Sequence, residues 1–170
     1  MDLKSLIRDV PDFPIKGVMF KDITPLLGDA AGFRAAIDGL AEGLRGVPAD
    51  MVAGMESRGF IFAAPLAYSL GLGFVPVRRL GKLPAPALRV DYALEYGTNS
   101  FEMHRDAIVT GHRVIVADDV LATGGTVGAT ISLVEQLGGQ VAAVAFLVEL
   151  TDLGGRRALE GREVISLLKY

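Results

Sequence analysis

The sequence predicts an α/β domain, a Rossmann-like parallel sheet flanked by helices. Three observations carry that prediction. Short apolar or β-branched runs alternate with stretches of helical period, as in Met51–Met55 before Phe60–Leu70 and Val114–Val116 before Val127, Ile131, Val134 and Leu137. Both runs end in a polar, glycine-containing loop that leads into the helix, the place where open parallel sheets bind ligands. The chain has 170 residues, 51% apolar and 22% charged, which suits one domain with a proper core and excludes disorder.

In chain order, Leu3, Leu6, Ile7 and Val10 fit a short amphipathic helix stopped by Pro11. Phe13–Leu27 sets two prolines and a glycine among large apolar residues. It is either a packed loop or a segment whose free backbone groups read the edge of a flat heterocycle. Phe33, Ile37, Leu40 and Leu44 mark a helix after the turn at Gly28-Asp29. Met51–Met55 is a strand that delivers Glu56-Ser57-Arg58-Gly59, and Phe60–Leu70 is the next helix, ended by Gly71. The four loop residues are either a capped helix start or an anion site in which Arg58 offers planar, paired donors to a diphosphate.

Gly73–Val77 is the next strand, followed by Arg78, Arg79 and Lys82. Those cations are a solvated face or, beside Arg58, neutralisation for a polyanion. Leu83–Tyr92 has two prolines and little periodicity, so it reads as a mobile lid without a core role. Ala93–Tyr96 and Ser100–Met103 read as arms of a ribbon around Gly97-Thr98-Asn99. His104 and His112 have no partner constellation and read as structural or solvated. Gln140–Val148 is a long apolar strand ending in Glu149-Leu150-Thr151. A short helix over Leu153–Leu159 and a last strand over Val164–Leu168 complete the core.

The stretch Val114–Thr126 organises the rest: strand, acidic pair, glycine turn, helix. Gly124 and Gly125 let the backbone curl around an anion, and Thr123 and Thr126 add hydroxyl donors at a helix N-terminus. Asp118 and Asp119 would repel a phosphate, so they face something else, and the vicinal hydroxyls of a sugar fit. A phosphate at one end and a diol at the other describe a ribose 5-phosphate. The bland alternative is a sharp turn with an acidic cap. A Walker loop is excluded because no lysine follows Gly125, and G-x-G-x-x-G is absent here.

Bulk properties exclude other classes. A net charge of −3 without a basic block argues against a nucleic-acid partner. The chain has no cysteine and only two histidines, so neither disulfides nor a thiolate or His-based metal site is expected. Apolar runs such as Val141–Val148 fall far short of the roughly 18 residues a membrane span needs, and the first residues carry no signal-peptide pattern. A soluble, cytoplasmic protein is expected.

The run D-D-V-L-A-T-G-G-T resembles the phosphoribosyl-pyrophosphate signature of the type I phosphoribosyltransferases. The resemblance implies that family's fold in one domain over 1–170, with a small N-terminal hood over about 1–28 and a flexible catalytic loop over about 79–103. It also implies phosphoribosyl pyrophosphate as substrate. Its ribose would meet Asp118 and Asp119, and its 5-phosphate would meet Ala122, Thr123, Gly124, Gly125 and Thr126.

The segment from Phe13 to Thr24 resembles the hood motif F-P-x-P-G-V-x-F-x-D-I-T of the adenine phosphoribosyltransferases. Lys16 stands in place of the second proline, and Lys21 in place of a common arginine. The resemblance implies main-chain contacts to the purine near Met19, Phe20 and Lys21. The run G-M-E-S-R-G-F resembles the pyrophosphate loop of the same family. That implies a cis peptide between Glu56 and Ser57, and a diphosphate held by Glu56, Ser57 and Arg58.

Residues Arg78–Gly97 resemble the family's catalytic flexible loop with its L-E-Y-G core intact. Leu80 replaces a third basic residue, and Ala87-Leu88 replaces a threonine pairing. This likeness implies Arg78, Lys82 and Tyr96 at the diphosphate, with Glu95 and Arg58 as the catalytic groups. Glu149-Leu150-Thr151 resembles the family's V-E-L-T and implies Leu150 at the base.

The implied reaction transfers phosphoribosyl to adenine, giving AMP and pyrophosphate. Mg²⁺ is implied, held mainly by substrate oxygens and water rather than directly by the protein. Glu95 would accept the proton from adenine, steer a water, or simply anchor the closed lid. A homodimer is also implied. Two alternatives remain at this level: a phosphoribosyltransferase for xanthine or guanine, and a regulator that binds phosphoribosyl pyrophosphate without catalysis.

Overall fold

The structure, a computed structural model, describes residues 2–94 and 97–170. A seven-stranded sheet forms the middle layer. Its strands are β3 (Met51–Met55), β4 (Gly73–Arg79), β5 (Ala87–Leu94), β6 (Gly97–His104), β7 (Arg113–Leu121), β8 (Gln140–Glu149) and β9 (Val164–Lys169), in the order β5-β6-β4-β3-β7-β8-β9. A separate ribbon pairs β1 (Arg8–Pro11) with β2 (Met19–Asp22), Val10 opposite Phe20. Pairing is parallel from β4 through β9 and antiparallel where β6 joins β4 and β5. The expected parallel α/β sheet is present, and the expected ribbon extends it along the β4 edge.

The central parts of the parallel strands are apolar because both of their faces are covered. Val114, Ile115, Val116 and Ala117 of β7 are all buried, as are Ala143–Val148 of β8. On one face, α1 (Thr24–Gly28), α2 (Ala30–Gly43) and α3 (Arg58–Leu70) pack Leu26, Leu40, Phe62 and Leu66 against Val52, Ile115 and Leu147. On the other, α4 (Gly125–Gln136) sets Val127, Ile131 and Val134 against Val75, Val116, Phe146 and Met103. Asp29 caps α2 by accepting from the Gly32 N–H at 2.6 Å, which fixes that helix start. A Cβ on Gly54 of β3 would lie 2.5 Å from that of Ala63, so the glycine sets how closely α3 approaches the sheet.

Five expectations are corrected. The N-terminal helix is a single 3-10 turn over Leu3–Leu6, because Ile7 turns extended and Arg8–Pro11 pairs with β2. The irregular hood segment contains a strand, β2, and a short helix, α1. The lid does have a core role: Ala87–Leu94 is a strand, and its Leu88, Val90 and Tyr92 pack against the core. Gly97, Thr98 and Asn99 lie in β6, opposite Leu94, Ala93 and Tyr92. The expected helix over Leu153–Leu159 is two 3-10 turns, Thr151–Leu153 and Gly155–Leu159, divided by a left-handed Gly154. Glu95 and Tyr96 lie outside the described residues.

Candidate active site

The carboxyl ends of β3, β7 and β8 open onto one cleft of about 640 Å³. It is lined by Asp118, Asp119, Val120, Ala122 and Thr126, by Glu56 and Ser57 of the loop after β3, and by Arg58, which opens α3. Met19, Phe20 and Lys21 of the β1–β2 ribbon and Leu150 beyond β8 form the opposite wall. So residues of the three strand-end motifs and of the hood line one cleft. A smaller recess, about 50 Å³, is lined by Asp118 and by Val120 through Val127, which includes Thr123, Gly124 and Gly125.

The glycine turn is shaped as a cradle. Gly124 has φ +90° and precedes the first residue of α4, so the backbone N–H groups of the helix start point into the recess. A Cβ on Gly124 would meet Ala158 at 2.8 Å and the Gly155 carbonyl oxygen at 3.0 Å. The turn Gly155–Leu159 therefore backs the cradle, a support that the sequence reading missed because it saw only a helix there.

The acidic pair is buried, Asp118 9% and Asp119 4% exposed. β7 runs on to Leu121, two residues beyond the acids, so they alternate across the sheet rather than sitting in the loop. Burial, reinforced by the neighbouring Asp119 charge, pushes the Asp118 carboxyl well above the usual range. Its Oδ1 accepts from the Asp119 N–H at 2.9 Å, and a Cβ on Gly59 would come within 2.6 Å of it. Asp119 Oδ2 lies 2.6 Å from Arg58 Nε, yet the N–H is not aligned with it and no hydrogen bond satisfies that buried oxygen. This unfilled acceptor suits a sugar hydroxyl or a metal-bound water. Among the described residues, no three acidic or imidazole groups converge as a metal cage. The donor set fits a cation held mainly by substrate oxygens.

Arg58 spans the cleft. Its Nε engages Asp119, its guanidinium lies 5.5 Å from the Phe20 ring centroid, and its terminal nitrogens have no protein acceptor among the described residues. Those nitrogens keep the paired donors that a diphosphate needs. The Glu56–Ser57 peptide is cis. Glu56 itself is already engaged: its carboxylate accepts from the Arg79 N–H at 3.0 Å and from Arg78 Nε at 3.2 Å. The Arg79 backbone donor, with Arg78, holds that carboxyl below its usual range.

Arg78 is thus occupied by Glu56 and by the Lys82 carbonyl, whereas Arg79, its neighbour on the other face of β4, lines the cleft. Lys82 is not among the lining residues. Tyr92 and Phe101, stacked with centroids 5.1 Å apart, also line the cleft and carried no signal in the sequence. His104 accepts the Ala85 N–H at 3.4 Å and His112 the Val109 N–H at 3.2 Å, both away from the cleft. A second cavity, about 670 Å³, opens near the starts of β3 and β7, and its two arginines are taken by Glu42 and Asp50.

Behind Leu150, Glu149 is 4% exposed and accepts from Arg156 Nε at 2.8 Å and Nη2 at 2.6 Å. Those Arg156 hydrogen bonds lower its carboxyl from 4.5 to about 2. Because the folded group binds its proton more weakly, the stabilisation is complete above about pH 4.5 and disappears as pH falls through about 2. Arg156→Met is expected to lower stability at pH 7 by about 2 kcal/mol, less than for a fully buried pair since the arginine is half exposed. Urea unfolding at pH 7 and pH 3 checks this; the gap between the variant and the parent should narrow at the lower pH.

Comparison with known proteins agrees with this geometry. The family profile described as "Phosphoribosyl transferase domain" matches residues 27–165. A curated adenine phosphoribosyltransferase of Thermoanaerobacter pseudethanolicus is 56% identical over 99% of this chain and 98% of its own length. The crystal structure of the adenine phosphoribosyltransferase from that organism superposes with a TM-score of 0.97, covering 99% of this chain and 98% of the other. The Saccharomyces cerevisiae enzyme, solved with adenine and an imino-altritol bisphosphate, is 41% identical with a TM-score of 0.92, over 98% of this chain and 97% of the other.

Proposed function

Since the chain belongs to the adenine phosphoribosyltransferase family, we propose that this cleft joins adenine to the anomeric carbon of phosphoribosyl pyrophosphate, yielding AMP and pyrophosphate. One observation carries the assignment of residues: Arg58 of α3, Asp118 of β7 and Thr126 of α4 line one cleft together with Phe20 and Leu150. That supports an extended substrate, charged at both ends, reaching from the Gly124 cradle to Arg58, with a flat base between the hood and Leu150.

The barrier is cleavage of the anomeric C–O bond, with positive charge growing on the ribose ring and negative charge on the departing diphosphate. Stabilising both is mainly electrostatic work. Ala122, Thr123, Gly124, Gly125 and Thr126 grip the 5-phosphate and fix the far end of the sugar. Asp118 and Asp119 accept from the ribose hydroxyls, and their field favours the cationic ring. Arg58 and Ser57 hold the diphosphate, with Arg79 joining them from the cleft wall; Glu56 holds Arg78 in place. Lys82 and Tyr96 reach the diphosphate when the ribbon closes. Main-chain groups of Met19, Phe20 and Lys21 read the adenine edge, and Leu150 covers its face.

Glu95 takes the proton lost by the attacking nitrogen, directly or through a water, or holds the closed ribbon. Mg²⁺ belongs to this reading: when bound, it neutralises the diphosphate and makes it a better leaving group. Asp118 and Asp119 are the protein groups that would meet its water shell. In this reading the chain is one unit over 1–170, with a hood over about 1–28 and a closing loop over about 79–103. Exposed Ile15, Met19, Ile61 and Tyr68 support a homodimer. A cytoplasmic location is proposed, and no helix among the described residues is long and apolar enough to cross a membrane.

The test is pyrophosphate release from phosphoribosyl pyrophosphate and Mg²⁺ with adenine, guanine, hypoxanthine or xanthine supplied singly. Adenine alone is expected to support turnover. Equal rates with a 6-oxopurine would refute the base assignment.

A further inference from the structure

Two segments far apart in the chain make the base-facing wall: β2, through Lys21, and the residue after β8, Leu150. The width of an adenine slot depends on their separation. Tyr170 touches both. Its N–H donates to the Glu149 carbonyl at 3.0 Å, and its carbonyl accepts from the Thr151 N–H at 2.9 Å and the Thr151 hydroxyl at 2.6 Å. The backbone of Tyr170 therefore brackets Leu150 on both sides.

Its ring reaches the hood. Lys21 Nζ lies 4.1 Å from the ring centroid and Lys4 Nζ 4.9 Å, while Lys4 also donates to the Lys169 carbonyl at 2.7 Å. The Lys21 side chain is only 13% exposed. Its ammonium is shared between that ring and Asp9, 2.6 Å away and directly opposite on β1. A cation this poorly hydrated gains from an aromatic face. The Tyr170 hydroxyl is buried and finds no hydrogen-bond partner among the described residues, so the aromatic face is what the site uses.

We propose that Tyr170 is a positioning residue for adenine: its backbone holds Leu150, and its ring holds β2 through Lys21, which together set the width of the base slot. This rests on the reading of Met19–Lys21 and Leu150 as the adenine wall. Lys21 is the local partner that the ring serves.

The experiment measures KM for adenine, KM for phosphoribosyl pyrophosphate and kcat for Tyr170→Phe, Tyr170→Leu and Leu150→Trp, with a melting temperature for each. Tyr170→Leu is expected to raise the adenine KM about five- to tenfold, as loss of a desolvated cation–π contact implies, with the other KM within about twofold. Tyr170→Phe keeps the ring and should restore the parent values. A Tyr170→Leu variant that lowers only the melting temperature, or raises both KM values together, overturns the proposal. So does Tyr170→Phe behaving like Tyr170→Leu, since the hydroxyl would then be the active group. Leu150→Trp separates the two levels. If it too leaves the adenine KM unchanged, the wall assignment fails; if it alone raises that KM, the wall stands and only the Tyr170 latch falls.

Discussion

Arg58→Ala is expected to lose about a thousandfold in kcat/KM for phosphoribosyl pyrophosphate, close to 4 kcal/mol of transition-state stabilisation. Two separate losses add up to that figure. The first is the paired donors on the terminal nitrogens, which have no protein acceptor among the described residues and are held in the cleft by the Nε contact to Asp119 at 2.6 Å. The second is the cation beside the buried acidic pair, where Asp118 is already pushed towards its neutral form by burial and by Asp119. Without Arg58, that pressure on Asp118 rises, and the acidic pair carries less negative charge towards the ribose just where the ring needs it. Arg58→Lys keeps one charge but not the planar pair, nor the stacking over Phe20, so it should recover only a small part. Steady-state kinetics with both substrates varied decides the matter. A loss under about tenfold would show that Arg58 is not the diphosphate anchor.

The sequence made the site legible in kind because its chemistry is concentrated in contiguous runs: Glu56–Gly59 and Asp118–Thr126 carry acids, cation and glycines next to one another. What it did not carry was parity. Ending β4 at Val77 leaves Arg78 and Arg79 as equivalent loop cations. The strand continues to Arg79, so the two side chains leave opposite faces; one is tied to Glu56 and the other enters the cleft. The same effect hid the alternation of Asp118 and Asp119, since β7 pairs with β8 as far as Leu121↔Glu149 whatever the side chains are.

The N-terminus failed for another reason. Leu3, Leu6, Ile7 and Val10 do have helical spacing, but the partner that pulls Arg8–Pro11 into a strand is β2, beyond an intervening turn. Only Leu3–Leu6 keeps a helical turn, held by the Asp2 carboxylate accepting from Lys4 N–H. The ribbon over Ala87–His104 shows the same limit: its register is set by pairing with β4 at Arg78↔Glu102, not by local propensity.

Gly155→Ala is expected to cut kcat/KM for phosphoribosyl pyrophosphate about a hundredfold while leaving the adenine KM within about twofold. The cause is room, not backbone freedom, because Gly155 is not among the residues with positive φ. A Cβ there would run into the Ala122 carbonyl oxygen and would sit 2.9 Å from Leu121 Cδ1 and 3.0 Å from the Ala122 carbonyl carbon. These are backbone and buried core atoms, so the strain goes into Ala122 and hence into the cradle through Thr126. A displacement of the order of 1 Å at a gripping loop can cost about 10² in rate, because the far end of the sugar no longer aligns the anomeric carbon. Gly161→Ala is the control: φ is +79° and nothing lies within 4 Å of the added Cβ, so it should cost about 1 kcal/mol of stability and leave both KM values alone. If Gly155→Ala merely lowers the melting temperature as Gly161→Ala does, the turn behind the cradle is packing and not part of the phosphate grip.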